Sequence, residues 1–409
     1  MSTRPIIMSA LLVAGVLAGC APTKKGLEAR AKARERLNII NAQLSRDQAV
    51  QALEAGQFEK ATKEIRQAIA MNPTWAEYHL VNGRIFLETH RLEKAQRSFE
   101  KALELRPDYP EAHYYSGIVY QRWSDDARAY DHYLSAFEQE PDRVPYLLAA
   151  AESLVALDLL DEASYLIDSK IVYFEHNAAL HHLLGQIMLL RGDPAGAAQL
   201  YLEAWRLSPE DDLLLEELAR TQYAAGMYGD CYRSVTLLQQ QPDGDRPQLK
   251  RLEARCLAAL DRHAEARNMF LELTKLDPTD TGLWIELGTV AWEIGDYHRM
   301  ALCGARVAVL APERFEGYLL KGVNERHHGN LAESIMFLRQ AAMRAPEVAL
   351  PHLLLGRVLD QAGDQEEALA AYATAVRIEP ESEEAQLLWG DGQERFLLAQ
   401  PLTDGARNE

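Results

Sequence analysis

The chain has 409 residues, 48% of them hydrophobic and 25% charged, which suits several domains or one long repetitive one and excludes a disordered polymer. Lys plus Arg number 43 against 61 Asp plus Glu, and the formal charge of −18 excludes a general nucleic-acid binder, which must replace phosphate counterions with its own cations. Four cysteines with no CxxC pair exclude a disulfide scaffold and a zinc site of that type, and a single long apolar run excludes a multi-span membrane protein.

Residues 1–20 read MSTRPIIMSALLVAGVLAGC. Arg4 gives a positive start, and Ile6 to Val16 is an apolar core of signal-peptide length, too short to anchor stably across a bilayer. The end of this stretch, Leu17-Ala18-Gly19-Cys20, resembles the lipobox of bacterial lipoproteins. That resemblance implies a signal peptide over 1–19, acylation of the Cys20 thiol, and a mature chain held on a membrane surface by its acyl chains. The alternative is a buried N-terminal helix that happens to contain a cysteine. Ala21, where an Asp would signal retention, favours by the same analogy the outer membrane of a bacterial envelope, facing the periplasm. Lys24, Lys25, Arg30, Lys32, Arg34 and Arg36 crowd residues 20–41, which read either as a helical tether beside anionic headgroups or as a solvated linker helix.

A 34-residue period governs most of the remaining chain. Prolines fall at Pro73, Pro107, Pro141, Pro209, Pro278, Pro312, Pro346 and Pro380, with gaps of 34, 34, 68, 69, 34, 34 and 34. Glu175 and Asp243 stand in for the two missing prolines, and one residue is inserted near Arg246. The period divides the chain into ten units, 42–75, 76–109, 110–143, 144–177, 178–211, 212–245, 247–280, 281–314, 315–348 and 349–382. Their eighth places (Ala49, Gly83, Gly117, Ala151, Gly185, Ala219, Ala254, Gly288, Gly322, Gly356) are all Gly or Ala, and their twentieth places are mostly Ala. Two helices of about a dozen residues fit each unit, with Gly56, Gly192, Gly226, Gly295, Gly329 and Gly363 at the turns between them. Small residues at these places let the two helices of a hairpin approach closely, while Phe99, Tyr133, Tyr201, Phe270 and Tyr372 are expected to interlock with the next hairpin.

Trp284, Leu287, Gly288, Gly295, Tyr297 and Pro312 in one unit follow the pattern of the tetratricopeptide repeat, as do Leu355, Gly356, Gly363, Ala368, Tyr372, Ala375 and Pro380 in another. The chain resembles that family over 42–381, and the resemblance implies an all-α fold, a right-handed superhelical solenoid of helix-turn-helix repeats. Units four, six and seven depart from the pattern and mark either a bend or a contact surface. Residues 383–399 read as a capping helix and 400–409 as a disordered tail.

No nucleotide loop, nucleophile elbow or HExxH is present, so no enzyme, cofactor, metal or small-molecule substrate is expected. The adjacent pairs His181-His182 and His327-His328 point about 100° apart on a helix and cannot chelate one ion together. Cys231, Cys256 and Cys303 read as small buried thiols, with a Cys231–Cys256 bridge as the alternative outside the cytoplasm.

The resemblance assigns function to the concave groove, lined by the first helix of each repeat. Groove places hold Arg84, Arg122, Arg220, Arg251, Arg255, Arg326 and Arg357, interleaved with Leu80, Leu87, Tyr114, Tyr223, Trp292, Leu319 and Leu353. Guanidinium pairs bidentately with carboxylate and aromatic rings make good anchors, so an extended or helical segment of a protein partner with acidic residues fits. An anionic polysaccharide fits the same electrostatics. The competing reading pairs these arginines internally with Glu88, Glu152, Glu216 and Glu286. Lipoproteins with such repeats assist assembly of secretins and pili or support exopolysaccharide export. The expectation is therefore a lipid-anchored scaffold that binds envelope proteins, with exopolysaccharide export as the alternative.

Overall fold

The computed structural model describes residues 24–242 and 244–399. Cys20, the leader expected over 1–19, Asp243 and the tail expected to be disordered lie outside the described residues. Among the described residues the chain has 21 helices and no strand, and no helix is long and apolar enough to cross a membrane. It forms two compact units, with the boundary between Ile187 and Met188.

The first unit holds α1 (Lys24–Glu54), α2 (Phe58–Met71), α3 (Ala76–Glu88), α4 (Leu92–Leu105), α5 (Pro110–Arg122), α6 (Asp126–Gln139), α7 (Val144–Ala156) and α8 (Leu160–Ile171). The boundary falls inside α9 (Ala178–Leu190). The second unit continues with α10 (Pro194–Leu207), α11 (Asp212–Ala224), α12 (Tyr228–Gln239), α13 (Pro247–Ala259), α14 (His263–Leu276), α15 (Thr281–Glu293) and α16 (Tyr297–Leu310). It ends with α17 (Phe315–His327), α18 (Leu331–Arg344), α19 (Ala349–Ala362), α20 (Gln365–Ile378) and α21 (Glu383–Ala399). Within each unit helices pack on their neighbours in sequence, the all-α solenoid arrangement of helix-turn-helix repeats.

The turns explain why the chain folds this way locally. Gly56, Gly192, Gly226, Gly295, Gly329 and Gly363 all have left-handed backbone, with φ from +69° to +91°. The equivalent turns elsewhere carry His90, Ser124, Asp158 and Asp261 at φ of +55° to +61°, so four non-glycine residues adopt a conformation that disfavours a Cβ. Asp125, Asp193, Asp211, Asp280 and Asp296 each accept a hydrogen bond from a backbone N–H in the first turn of the helix they precede.

The small places are occupied by close approach. A Cβ on Gly83 would lie 2.3 Å from Phe99 Cε1, one on Gly117 2.5 Å from Tyr133 Cε1, and one on Gly356 2.6 Å from Tyr372 Cε1. Phe99, Tyr133 and Tyr372 are all but fully buried, and the twentieth-place residues Ala61, Ala95, Ala129, Ala163 and Ala266 are wholly so. Each glycine thus gives up its side chain so that Phe99, Tyr133 or Tyr372 of the other helix of the same hairpin can seat against its backbone, contrary to the expectation that these rings interlock with the next hairpin.

Two departures from regularity coincide with sequence signals. α8 and α12 have 12 residues, whereas α2, α4, α6, α10, α14, α16, α18 and α20 each have 14, and the two short helices belong to the stretches lacking the terminal proline. At the N-terminal end α1 runs unbroken for 31 residues, but its buried positions begin only at Ala42. Lys24, Lys25, Arg30, Lys32, Arg34 and Arg36 lie on the exposed part before it. At the other end Ala385 is buried, and Leu388 and Trp389 of α21 pack against the core that includes Leu354, Val358 and Tyr372.

Candidate functional site

Four of the predicted groove residues converge. Arg220 and Tyr223 of α11, with Arg251 and Arg255 of α13, line a pocket of about 370 Å³ together with Glu216, Gln248, Leu249 and Leu252. The i, i+4 spacing within α13 places Arg251 and Arg255 on one face, as it does Glu216 and Arg220 of α11.

The arginines are held by carboxylates to unequal degrees. Arg251 donates from Nε and Nη2 to Glu286 at 2.9 and 3.0 Å, and from Nη1 to Asp280 at 2.9 Å. Arg255 donates from Nε to the same Glu286 at 2.9 Å, with a second bond from Nη2. Glu216 accepts from Arg220 and lies 2.8 Å from Arg246. Among the residues that line the pocket three arginines stand with one carboxylate, Glu216, a local excess of positive charge in an acidic chain.

Accessibility separates the members. The Arg251 side chain is 26% exposed, that of Arg255 39% and that of Arg220 64%. Glu216 is only 11% exposed and keeps Arg246 as a second partner at 2.8 Å, so the largely exposed Arg220 can turn to a ligand carboxylate without leaving that buried charge unpaired. The threefold grip on Arg251 makes it the fixed element that orders Glu286 and hence Arg255. Tyr223 is half-buried between these cations, and burial raises its hydroxyl pKa, so the ring is neutral at physiological pH and offers an O–H beside an apolar face.

Several contributors were not legible in the sequence. Asp280 both accepts from Leu283 N at the start of α15 and anchors Arg251, a double role disguised as an ordinary helix cap. Gly282 leaves room for the guanidinium, since a Cβ there would lie 2.5 Å from Arg251 Nη2. Arg246, noticed only as an inserted position, joins Glu216.

The other predicted groove residues stand elsewhere. Arg84 lies over the Tyr115 ring at 5.2 Å, and Arg122 donates to Leu87 O at 3.3 Å across from α5 to the end of α3. Tyr114 sits in an aromatic cluster, 5.5 Å from Tyr133 and 5.0 Å from Tyr146 between ring centroids. Trp292 packs against the second unit's core, Arg326 donates to Gln361 at 2.9 Å, and Arg357 pairs with Glu384 of α21. Leu80, Leu87, Leu319 and Leu353 are buried between helices, so they stabilise packing and present no surface. Of the glutamates expected to pair internally, Glu216 and Glu286 do so, whereas among the described residues Arg84 and Arg122 meet no carboxylate. The histidine neighbours diverge, His327 stacking on Tyr297 and His328 bonding Asn324 O.

Packed helical hairpins with a charged, aromatic-bearing pocket define a repeat scaffold, and sequence comparison supports that class. The model for the TPR repeat matches residues 83–122 and that for the tetratricopeptide repeat matches residues 319–383. A TPR repeat-containing protein of Treponema pallidum is 25% identical over 190 residues, covering 42% of this chain and 23% of that protein. BBSome complex member BBS4 of Bos taurus is 26% identical over 230 residues, covering 53% of this chain and 43% of that protein. The chain thus spans less than half the length of these relatives. Among solved structures, yeast Tom70 is similar at 16% identity over 87% of this chain and 80% of its own, with a TM-score of 0.42. A tetratricopeptide repeat protein from Parabacteroides merdae is similar at 13% identity over 61% of this chain and 98% of its own, with a TM-score of 0.43. The chain thus carries matches to tetratricopeptide repeats over residues 83–122 and 319–383.

Proposed function

We propose that this chain is a lipid-anchored scaffold of the bacterial cell envelope that holds an acidic peptide or helical segment of a protein partner at the α11–α13 pocket, assisting assembly of a secretin- or pilus-type complex. In this reading α1 to α20 supply ten repeat units, α21 caps them, and acylated Cys20 tethers the array to the outer membrane. The observation that carries it is the convergence of Arg220, Tyr223, Arg251 and Arg255 on one pocket whose lining has three arginines and one carboxylate. A ligand carboxylate would take over Arg220 and the outer edge of Arg255 while Arg251 stays locked to Asp280 and Glu286. The pocket's guanidinium groups also suit an anionic polysaccharide, which keeps a role in exopolysaccharide export as the second reading.

An affinity pull-down of the chain from solubilised envelopes, read by mass spectrometry beside the Arg220→Glu/Arg255→Glu variant, tests the reading. Secretin or pilus subunits lost in the variant support it, and export components in their place move the second reading ahead. Equal capture by both proteins sinks the pocket. Membrane fractionation of Cys20→Ser tests the tether separately, with release into the soluble fraction expected.

A further inference from the structure

Directly behind the pocket lies a pair of thiols that partner binding does not use. Cys231 of α12 and Cys256 of α13 are both wholly buried, 25 residues apart in sequence, with their Sγ atoms 2.8 Å apart and sharing a hydrogen bond. Their surroundings are apolar, with Leu215, Leu218, Val235, Leu238 and Leu249 in the same cluster. Both are free thiols in this structure, as is Cys303, which belongs to a different cluster. Among the described residues no group of three or more His, Cys, Asp or Glu could hold a metal, so the pair lacks the additional ligands a structural zinc needs.

We propose that Cys231 and Cys256 are a disulfide-forming site, oxidised by exchange with a disulfide of the glutathione or dithiol-oxidoreductase class. The Cys256 sulfur, as thiolate, attacks one sulfur of the oxidant, whose S–S bond breaks and releases one thiolate. Cys231 then gives up its proton and attacks Cys256 Sγ, displacing the second thiolate. Two electrons pass to the oxidant, and the two protons from the cysteines end on its thiols. An S–H of Cys231 donated to Cys256 favours the Cys256 thiolate and draws that thiol below its ordinary pKa, while the same bond and burial push Cys231 up, and the 2.8 Å separation puts the second sulfur within reach of the first. Access comes before α12 and α13 dock, or when neighbouring repeats open locally.

The pairing has a structural consequence at the site. The bond would tie α12 to the helix that carries Arg251 and Arg255, across the 240–246 connection that follows a shortened helix. Closing that loop restricts the unfolded chain and stabilises the hairpin in the register the pocket requires. In an oxidising compartment such as the periplasm the bond persists, so this part of the inference rests on the envelope reading.

The test uses the full purified chain, reduced, then held with glutathione disulfide both as folded protein and during refolding. Denaturing alkylation and non-reducing peptide mapping should show one peptide pair linking Cys231 to Cys256, with Cys303 alkylated. Thermal melting of the oxidised chain should rise by several degrees and fall back on adding reductant. The Cys231→Ala/Cys256→Ala double variant should show neither the link nor the shift. Both thiols alkylated under both conditions, stable mixed adducts with glutathione, or a link to Cys303 would each overturn the proposal. A link in the purified chain that is missing from acid-quenched cells supports the site and counts instead against the envelope location.

Discussion

The same groove places of the repeat carry opposite chemistry in α3–α7 and in α11–α13. In the first stretch Tyr114 packs with Tyr133 and Tyr146 and Arg84 lies over Tyr115, so these side chains hold helices together, while the exposed Arg122 reaches the carbonyl of Leu87 and, among the described residues, no carboxylate. In the second, Arg220, Arg251 and Arg255 meet carboxylates around an open pocket and remain exchangeable in proportion to their exposure. A groove position is therefore an opportunity for binding, and its neighbours decide whether packing takes it first.

The strongest test of this contrast is in the aromatic stretch. Tyr133→Ala should cost about 4 kcal/mol in urea denaturation, because the ring is buried against Gly117. Tyr133→Phe should cost only about 1 kcal/mol, losing the hydroxyl's bond to Gln121. Equal losses for the two would mean that the hydroxyl, and not ring packing, holds this region. Next, Arg220→Glu/Arg255→Glu should weaken an acidic peptide ligand by about 3 kcal/mol, on the order of a hundredfold by fluorescence anisotropy. Arg84→Glu/Arg122→Glu should leave that affinity within about twofold; matching losses would erase the distinction between the stretches.

Acidification separates them again. His132 lies beside His113 with Nδ1 atoms 3.2 Å apart and stacks on Tyr120, and burial together with His113 pulls its pKa down to about 4. Asp131 opposes the shift and Arg128 adds to it. The unfolded chain thus takes up a proton between about pH 6.5 and 4 that the folded His132 refuses, so stability is full above that window and falls as pH drops through it. The loss should be on the order of 2 kcal/mol, and denaturation curves of His132→Gln across this range should be flatter. The lowered carboxyl groups of Asp125, Glu265 and Asp277 act near and below the acid end of the window.

Two smaller effects complete the series. Glu286→Gln should tighten the acidic peptide by roughly fivefold, about 1 kcal/mol, by releasing Arg255, and an unchanged affinity would show that internal pairing does not compete with the ligand. Ser124→Gly should raise stability by about 0.5–1 kcal/mol, since Ser124 sits at φ +58° where glycine is unstrained, and a lower denaturation midpoint would refute that.

Much of the architecture was written in spacing. Pro73 to Pro380 keep a 34-residue clock, and helices open at Ala76, Pro110, Val144, Ala178 and Asp212, then at Pro247, Thr281, Phe315 and Ala349. Six of the left-handed turn residues announced themselves as glycine, whereas His90, Ser124, Asp158 and Asp261 did not, because packing on either side forces a conformation their side chains would not choose. The candidate site was legible as a list of groove arginines, but the list could not rank them. Arg251 is locked by Asp280 and Glu286, 29 and 35 residues away, and a one-dimensional pattern contains nothing about such distances.

Helical periodicity and close approach act between positions at fixed offsets along the chain. The all-α repeat, its period and the residues that must be small therefore follow from residue order alone. Which groove side chains stay available to a partner is settled only once the helices have packed. That outcome depends on which carboxylate, ring or carbonyl the neighbouring repeat brings within reach, as Glu286 does for Arg255 and Tyr146 does for Tyr114.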